Sequence, residues 1–357
     1  MSTSFRVAII GCGSSGPGRG GAHSIGYAHA WAYTACPEVA LIAVADCVPQ
    51  NAQDFAAEFS GTTAYTDFRE MLAQERPDVV SICTYPRDRE PMVMAALEAG
   101  VKGVWVEKPM ALSLNAARRM MVAAEAHGAR LFVNHQRRYG LPFAWMKAAV
   151  EEKIGEVLSF DITQQWPNLL DFGPHLVDSA LYCLGERRAV RVLAAMDLSA
   201  PTERQGLLVE NQVFATIHLS DGSRLTYEAG QASCAKLPTL RVQGSEGFAE
   251  LYAILPEGKQ SIFRARYAGE AEVVNPATNE HFHHSEDPAL YVKRAAADIV
   301  LALTTGCTTR IDVENAYRGL EILLAIYESA RLQRMVSLPL EQGEFPLDLM
   351  TPATSAS

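Results

Sequence analysis

Short apolar runs alternate with longer helical segments in the first third of the chain. The runs are rich in Val, Ile and Ala and occupy 5–10, 39–46, 78–84, 101–106 and 129–134. Strands without polar alternation are typical of a parallel sheet that is buried on both faces. Segments of helical length separate them, at 24–35, 48–59, 67–74, 90–99 and 115–127. This alternation predicts an α/β domain with a parallel sheet and right-handed crossovers.

A different hydrophobic pattern begins near residue 157. Residues 157–164 and 213–219 alternate between apolar and polar side chains, and Asp221-Gly222 leads into a strand-like run at 224–229. Such alternation predicts strands with one covered face, and Asp-Gly predicts a hairpin. Further strands are predicted at 240–242 and 248–252, and helices at 287–304 and 313–332. We therefore predict an α+β region built on an open, mainly antiparallel sheet.

The length of 357 residues suits two domains. We predict a dinucleotide-binding domain over 1–134 and a substrate and oligomerisation domain over 135–345. The small residues of 346–357 predict a flexible tail.

Charge and cysteine content narrow the class of partner. The net charge of −10 argues against nucleic acid and anionic membranes as partners, because both favour a basic face. No apolar run reaches the roughly 18 residues of a membrane span. Seven scattered cysteines without a C-x-x-C pair suit a reducing compartment, and no basic leader precedes the first strand, so we expect a cytoplasmic protein. The histidines of 281–284 lack an accompanying ligand spacing, so we expect no metal.

A glycine motif follows the first predicted strand. Gly11-Cys12-Gly13-Ser14-Ser15-Gly16 satisfies G-x-G-x-x-G, which lets backbone N–H groups approach a pyrophosphate at a helix N-terminus. The motif alone is also compatible with a glycine-rich turn that binds nothing. Asp46 ends the second strand, where a carboxylate accepts hydrogen bonds from a ribose diol and repels a 2′-phosphate. The pattern favours NAD over NADP.

The spacing of this motif is irregular. The acidic residue normally follows the last glycine by about 20 residues. Asp46 lies 30 residues after Gly16 but 20 after Gly26. We therefore interpret 14–24 as an insertion in the phosphate loop, with Gly26 in the helix that follows.

A lysine stands at the end of the fourth strand, within Val106-Glu107-Lys108-Pro109. Together with AALEAGVKGVWVEKPMA (95–111), VNHQRRY (133–139), KIGEV (153–157) and DFGPHLVD (171–178), this motif resembles the Gfo/Idh/MocA oxidoreductase family over nearly the whole chain. The resemblance implies a Rossmann domain followed by an open-sheet domain, and NAD(P)-dependent oxidation of a sugar, inositol or related polyol.

The resemblance also implies a catalytic set of Lys108, Asp171 and His175. The predicted cofactor-binding residues are Gly11, Cys12, Gly13, Ser14, Gly16, Gly26, Asp46, Thr84, Glu107 and Lys108. The predicted substrate-binding residues are Arg138, Tyr139, Trp166 and Asn168. For Arg138 a structural ion pair, and for Trp166 a place in the core, are equally open readings.

Oxidation of a secondary alcohol needs a base at the hydroxyl and a cation near the developing alkoxide. Pro174 suits the first turn of a helix, which places His175 where the helix dipole disfavours an imidazolium and keeps the ring a proton acceptor. From local sequence alone, His175 is equally well a capping or buried structural residue. The enzyme hypothesis requires Lys108 and His175 to converge beside the nicotinamide.

Two rival functions remain open. Some members of the family use bound NAD transiently to cleave glycosides, and a non-catalytic dinucleotide sensor would keep the same fold. The resemblance further implies a homo-oligomer, a dimer or tetramer, assembled through the open sheet.

Overall fold

A computed structural model of the protein describes residues 4–14, 24–164, 169–204, 207–230, 239–252, 262–267, 269, 273–274 and 289–350. The chain divides into two compact units. The first comprises Met1–Tyr139 and Pro288–Ala316, and the second Gly140–Asp287 and Tyr317–Ser357. The predicted division at residue 134 thus differs from the structure, in which a late segment returns to the first unit.

The first unit is an alternating α/β domain. Its elements are β1 (Phe5–Ile10), α1 (Ile25–Thr34), β2 (Val39–Ala45), α2 (Pro49–Glu58), β3 (Thr63–Tyr65), α3 (Phe68–Glu75), β4 (Val79–Ile82), α4 (Arg89–Glu98), β5 (Gly103–Val106), α5 (Leu114–Ala126) and β6 (Arg130–Val133). In the described part of the chain its six strands pair in parallel in the order β3-β2-β1-β4-β5-β6. This is the doubly wound order of dinucleotide-binding domains, which confirms the predicted fold.

The strands of this sheet are buried as their composition predicts. Val7, Ile9 and Val104 are fully buried, because helices cover both faces of the sheet. The short edge strand β3 is absent from the prediction. Its three residues, Thr63–Tyr65, are partly exposed and carry no apolar run that would reveal a strand.

The remaining elements follow in chain order. They are α6 (Leu141–Glu152), β7 (Val157–Gln164), α7 (Gly173–Cys183), β8 (Ala189–Asp197), β9 (Thr202–Arg204), β10 (Leu207–Val209), β11 (Gln212–Leu219), β12 (Arg224–Gly230), β13 (Leu240–Gly244), β14 (Gly247–Tyr252), β15 (Ile262–Tyr267), β16 (Val273–Val274), α8 (Ala289–Thr305), α9 (Val313–Leu332) and β17 (Val336–Ser337).

The second unit is built on a mixed sheet. Within the described ranges nine strands lie in the order β16-β15-β14-β13-β7-β12-β11-β8-β17. Neighbours are antiparallel except β7 and β12, which run parallel, so the mainly antiparallel prediction is confirmed. The predicted hairpin joins β11 to β12, and Gly222 adopts the left-handed φ of +89° that its turn requires.

The two faces of this sheet differ in exposure. Phe160, Ile162 and Tyr227 are at most 1% exposed on the covered face. On the opposite face, Leu193 of β8 and Phe214 of β11 are 46% and 52% exposed. This contrast follows the alternation of the sequence, in which successive side chains of a strand point to opposite faces.

The returning segment belongs to the first unit because its contacts lie there. Helix α8 packs against α1 through an apolar face that includes the fully buried Ala295 and Ile299. After α8, Asp312 accepts a 2.8 Å hydrogen bond from Arg130 at the start of β6, and Ile311 accepts one from the Val133 amide. Sequence periodicity identifies α8 as a helix but does not reveal where it docks.

The predicted flexible tail begins with a packed turn instead. Pro346–Leu349 forms a short 3-10 helix, in which Leu347 is 2% exposed. Phe345, just before it, packs edge-on against Tyr327 at 5.8 Å. Residues 351–357 lie outside the described residues. Among the helices that the structure describes, each is too short or too polar to traverse a membrane.

Candidate active site

The glycine loop after β1 is held by the acidic residue after β2. Oδ2 of Asp46 accepts hydrogen bonds from the backbone amides of Cys12 and Gly13, at 3.1 and 2.9 Å. Its Oδ1 accepts from the Val48 amide at 3.0 Å and from Nδ2 of Asn51 at 3.3 Å. The carboxylate is 9% exposed, at the carboxyl end of the sheet where dinucleotides bind in this fold.

Cys12 contributes its backbone and remains a thiol. Its Sγ lies 3.5 Å from Oδ2 of Asp46. Burial and the adjacent carboxylate raise the pKa of this thiol well above its usual range. The side chain is therefore a weak donor to Asp46 and not a nucleophile.

Gly26 lies in the first turn of α1 and lets that helix approach the glycine loop. A Cβ at this position would lie 2.7 Å from Cα of Cys12 and 2.8 Å from the carbonyl oxygen of Gly11. Both neighbours are backbone atoms, so only glycine fits here without a shift. On the other side of the loop, a Cβ on Gly11 would lie 2.6 Å from Cγ2 of Thr84, which places that predicted residue against the loop. Gly16 lies outside the described residues.

The Lys108 turn, residues Glu107–Pro109, follows β5. Glu107 is 4% exposed, and its Oε1 accepts a 2.5 Å hydrogen bond from Nδ2 of Asn134 and lies 3.2 Å from Nε2 of His29. Its Oε2 accepts from the Lys108 amide at 3.1 Å. Burial by itself would raise the pKa of Glu107, but the hydrogen bond and charge of His29 and the charge of Lys108 outweigh it and lower the pKa to about 2. The predicted cofactor residue Glu107 is thus an ionised, buried anchor.

His29 connects Glu107 to the middle of the sheet. The imidazole is fully buried and stacks on Trp105 of β5, with ring centroids 3.8 Å apart and planes 25° apart. Its Nδ1 lies 3.1 Å from Oγ of Ser81 in β4, which in turn lies 3.1 Å from the Tyr33 hydroxyl. We call His29, Ser81, Glu107 and Asn134 the His29 cluster.

Arg89 holds the other end of the Lys108 turn. Its guanidinium, 4% exposed, donates to the carbonyl of Pro109 and, at 3.0 and 2.7 Å, to the carbonyl of Thr84 after β4. Burial lowers the pKa of Arg89 to about 10, against the opposing effect of Glu107, so the group stays protonated at neutral pH. Glu107 binds the amide of Lys108 and Arg89 binds the carbonyl of Pro109, so the two buried charges hold the backbone on both sides of Lys108, which is itself partly exposed.

Asp171 and His175 lie in the second unit, at the start of α7. The helix begins at Gly173 with Pro174 in its first turn, so the predicted place of His175 is confirmed. His175 is 9% exposed, Asp178 is 1% exposed, and Asp171 is partly exposed. The carbonyl of His175 accepts a 2.6 Å hydrogen bond from Oγ of Ser179. Because Lys108 belongs to the first unit, its predicted convergence with His175 stays a prediction.

A fully buried carboxylate anchors the turn before α7. Oε1 of Glu210 accepts a hydrogen bond from the Leu169 amide, and Oε2 accepts from the Tyr327 hydroxyl at 2.9 Å. Burial, and then the Glu210 charge, raise the pKa of Tyr327 well above its usual value. Nearby, the Tyr227 hydroxyl donates to Gln164 at 2.7 Å.

The predicted substrate residues receive less support from the structure. Arg138 is 2% exposed, and its carbonyl accepts from Arg310. The Tyr139 hydroxyl donates to Asp298 of α8 at 2.5 Å. Burial, and to a smaller extent the Asp298 carboxylate, raise the pKa of Tyr139. Tyr139 thereby fastens α8 to the first unit. Trp166 and Asn168 lie outside the described residues, so their roles stay predictions.

The first unit fits a dinucleotide. Gly26 lets the start of α1 approach the loop from Gly11 to Ser14, as a pyrophosphate site requires, and Asp46 lies at the carboxyl end of the second strand, where this fold places the ribose. Among the described residues no three His, Cys, Asp or Glu side chains gather as metal ligands, and 281–284 lies outside them.

Sequence reasoning missed His29, Arg89, Asn134 and Glu210. His29 lies within the apolar α1 and Arg89 is the first residue of α4, and neither belongs to a motif, so neither stands out. Asn134 directly follows a buried strand, at the sheet edge where ligands bind, and that position was a usable signal. Glu210 follows an apolar stretch with no pattern of its own.

The chain matches two family models. The oxidoreductase family model for an NAD-binding Rossmann fold matches residues 5–135, and the model for the C-terminal alpha/beta domain matches 147–338. The expected NAD-binding domain is thereby confirmed.

Similar proteins are dehydrogenases. A D-glucoside 3-dehydrogenase of Escherichia coli strain K12 is 28% identical over 260 residues, 65% of this chain and 71% of that protein. A D-apiose dehydrogenase of Rhizobium rhizogenes strain K84 is 23% identical over 367 residues, 94% of this chain and 98% of that protein.

The solved structure of a levoglucosan dehydrogenase in complex with NADH and levoglucosan shares the fold. It has a TM-score of 0.77 at 22% identity and covers 94% of this chain and all of that one. With both family models matched, this chain belongs to the Gfo/Idh/MocA oxidoreductase family.

Proposed function

We propose that this protein is an NAD-dependent dehydrogenase that oxidises a secondary alcohol of a sugar, inositol or related polyol. The observation that carries the proposal is the Lys108 turn. It lies at the carboxyl end of a sheet with strand order 3-2-1-4-5-6 and is held by buried charges on both sides. The relatives named above are sugar dehydrogenases, which supports this class of substrate.

We assign Lys108 and His175 the two acid–base tasks of the reaction. When bound, NAD accepts the hydride from the alcohol carbon. The imidazole of His175 takes the hydroxyl proton, and the ammonium of Lys108 stabilises the developing alkoxide. Asp171, four residues before His175, orients the substrate hydroxyl or the ring.

The preference for NAD over NADP rests on Asp46. Four nitrogen donors hold its carboxylate in place, so a 2′-phosphate would meet an acidic side chain that cannot turn away. We expect NADP to bind more weakly than NAD.

The experiment is a turnover screen with purified protein. Myo-inositol, D-glucose, D-apiose and methyl β-D-glucoside are offered with NAD and with NADP, and NADH absorbance and product are both followed. We expect NADH formed in stoichiometric amount with a keto product or lactone. Release of methanol from the glucoside without net NADH would identify a glycoside-cleaving enzyme instead. NAD binding without turnover of any of the four compounds would favour a dinucleotide sensor.

We also propose that the protein is a homo-oligomer, a dimer or tetramer, that uses the open face of the second sheet. Leu193 and Phe214 lie on this face, where Leu193 pairs with Thr216 and Phe214 with Ala195. Exposed apolar patches of this kind mark interaction sites. We expect Leu193→Asp with Phe214→Asp to reduce the molar mass measured by light scattering, whereas unchanged mass would exclude this face. The scattered cysteines support a reducing, cytoplasmic setting.

A further inference from the structure

We propose that His29 is a positioning residue for Lys108. It fixes the Glu107 carboxylate, and Glu107 in turn fixes the backbone from which the Lys108 side chain projects. The inference rests on the proposed function in one respect, since it takes the Lys108 ammonium as part of the catalytic machinery.

The hydrogen bonds at Oε1 of Glu107 have a defined direction. Nε2 of His29 lies 3.2 Å from Oε1 of Glu107, and an ionised carboxylate only accepts, so Nε2 carries a hydrogen. Nδ1 faces the Ser81 hydroxyl at 3.1 Å, which donates or accepts as required. Asn134 presents Nδ2 to the same carboxylate oxygen at 2.5 Å, a distance that only a donor tolerates. Oε1 of Glu107 is therefore held by two donors from α1 and the end of β6.

The Glu107 carboxylate also holds the backbone of Lys108. The hydrogen bonds between β4 and β5 continue as far as the Glu107 amide, which donates to the Ile82 carbonyl at 3.0 Å. At the next residue the chain leaves the sheet, and the Lys108 amide donates to Oε2 of Glu107. This bond fixes the planar peptide between the two residues and hence the direction of the Lys108 Cα–Cβ bond.

A histidine at this buried position has a cost that an apolar residue would avoid. His29 is fully buried, and an apolar side chain would fill the space without the cost of burying a polar ring. Stacking on Trp105 sets the plane of the ring and directs Nε2 at Glu107. A residue with one orientation and one carboxylate partner is suited to hold that partner in place.

A matched pair of variants separates positioning from packing. The amide nitrogen of His29→Gln reaches the position of Nε2 and keeps an N–H donor there. The shorter side chain of His29→Asn reaches only the position of Nδ1. We expect His29→Asn to lower kcat about 10- to 100-fold, since small displacements of catalytic groups have effects of this size. We expect His29→Gln to restore most of that loss, and calorimetry to show NAD affinity unchanged in both.

A second measurement is independent of turnover. Hydrogen exchange followed by mass spectrometry reports protection in the peptide that contains Glu107 and Lys108. We expect faster exchange there in His29→Asn than in His29→Gln. Met71→Ala, which opens a cavity in α3 of the same unit without contacting the His29 cluster, is the control for general destabilisation.

The outcomes distinguish this inference from the proposed function. Turnover is measured with the most active of the four screened compounds. The proteins compared are wild type, the two His29 variants, Lys108→Met and the double variant His29→Asn/Lys108→Met. If His29 acts by positioning Lys108, His29→Asn should lower kcat when Lys108 is present and should have no further effect in the Lys108→Met background. If Lys108→Met keeps full turnover, the catalytic assignment is wrong. If only Lys108→Met loses turnover, or the two His29 variants exchange alike, the positioning role is overturned.

Discussion

The Lys108 turn and the start of α7 carry the two halves of the predicted catalytic set, and they are built differently. The Lys108 turn follows a buried parallel strand, with an ionised carboxylate on one side and a guanidinium on the other. His175 lies in the first turn of a helix, after a segment anchored to the single carboxylate of Glu210. The first is held by charged side chains from several elements, the second by packing and one buried acid.

This difference has a physical origin. The carboxyl ends of parallel strands lie along one edge, so α1, β4, β5 and β6 bring His29, Ser81, Glu107 and Asn134 together through topology alone. The start of a helix has no neighbouring strands to position it, so its location depends on the residues that its first turn packs against. Substitutions should therefore affect the two regions unequally.

The largest expected effect concerns chemistry in the second region. His175→Ala should lower kcat about 10²- to 10⁴-fold, because the acid–base group is lost. NAD affinity, measured by calorimetry, should be unchanged, since the glycine loop lies in the first unit. His127→Gln, at the exposed end of α5, is the matched control. Equal kcat in His175→Ala and wild type would end the assignment.

The next effect concerns acid stability in the first region. The folded pKa of Glu107 is about 2 against an ordinary value of 4.5, so its ionisation stabilises the fold above pH 4.5 and this contribution is lost as the pH falls towards 2. Glu107→Gln should lower the free energy of unfolding by about 3 kcal/mol at neutral pH and flatten its fall with acid. Urea unfolding across this range measures both.

The control for this experiment is Glu98→Gln, an exposed position at the end of α4. It should leave the acid dependence as in wild type. An unaltered acid slope in Glu107→Gln would show that the buried carboxylate is not ionised in the folded state.

Two tyrosine variants compare the anchors directly. Tyr327→Phe removes a donor to the buried Glu210 and should cost about 1.5–3 kcal/mol of stability, because the partner is charged. Tyr33→Phe removes a bond to the neutral Ser81 hydroxyl and should cost about 0.5–1.5 kcal/mol. Denaturant midpoints give both values. The reverse order would mean that the second region does not depend on its single acid.

Two glycines at helix starts give the last comparison, which includes the smallest expected effect. A Cβ on Gly26 would meet backbone atoms at 2.7 and 2.8 Å, so Gly26→Ala should cost about 1–3 kcal/mol and weaken NAD binding. A Cβ on Gly173 would meet the side chains of Leu169 and Leu323 at 3.1 Å, and these can adjust. Gly173→Ala should therefore be nearly neutral.

Gly319→Ala in α9 calibrates this comparison. A Cβ there meets open space, so we expect a gain of about 0.5–1 kcal/mol from helix propensity alone. A loss of NAD affinity in Gly173→Ala as large as that in Gly26→Ala would contradict the contrast between backbone and side-chain contacts.

The fold was largely predictable, because its pattern is local. The apolar runs of 5–10 and 101–106 identify buried strands, and Asp221-Gly222 identifies a hairpin. The docking of α8 on α1 was not predictable, since an amphipathic helix does not specify which surface it covers. The short β3 was missed because edge strands need no apolar run.

The candidate site was predictable where residues follow strands in sequence. Asp46 and Lys108 stand directly after apolar runs, so topology places them at the ligand edge. The roles of His29 and Arg89 depend on contacts across the sheet, and no spacing in the sequence encodes them. The family resemblance named the groups that do chemistry, but not those that hold them.

The hydrogen bonds of Asp46 have one more consequence. Because its carboxylate already joins the Cys12 and Gly13 amides to the start of α2, this part of the glycine loop is shaped before any ligand arrives. The loss of loop entropy is incurred during folding, so association need not order this part of the chain. Cofactor capture should accordingly show a small conformational component, with an association rate set mainly by diffusion and charge.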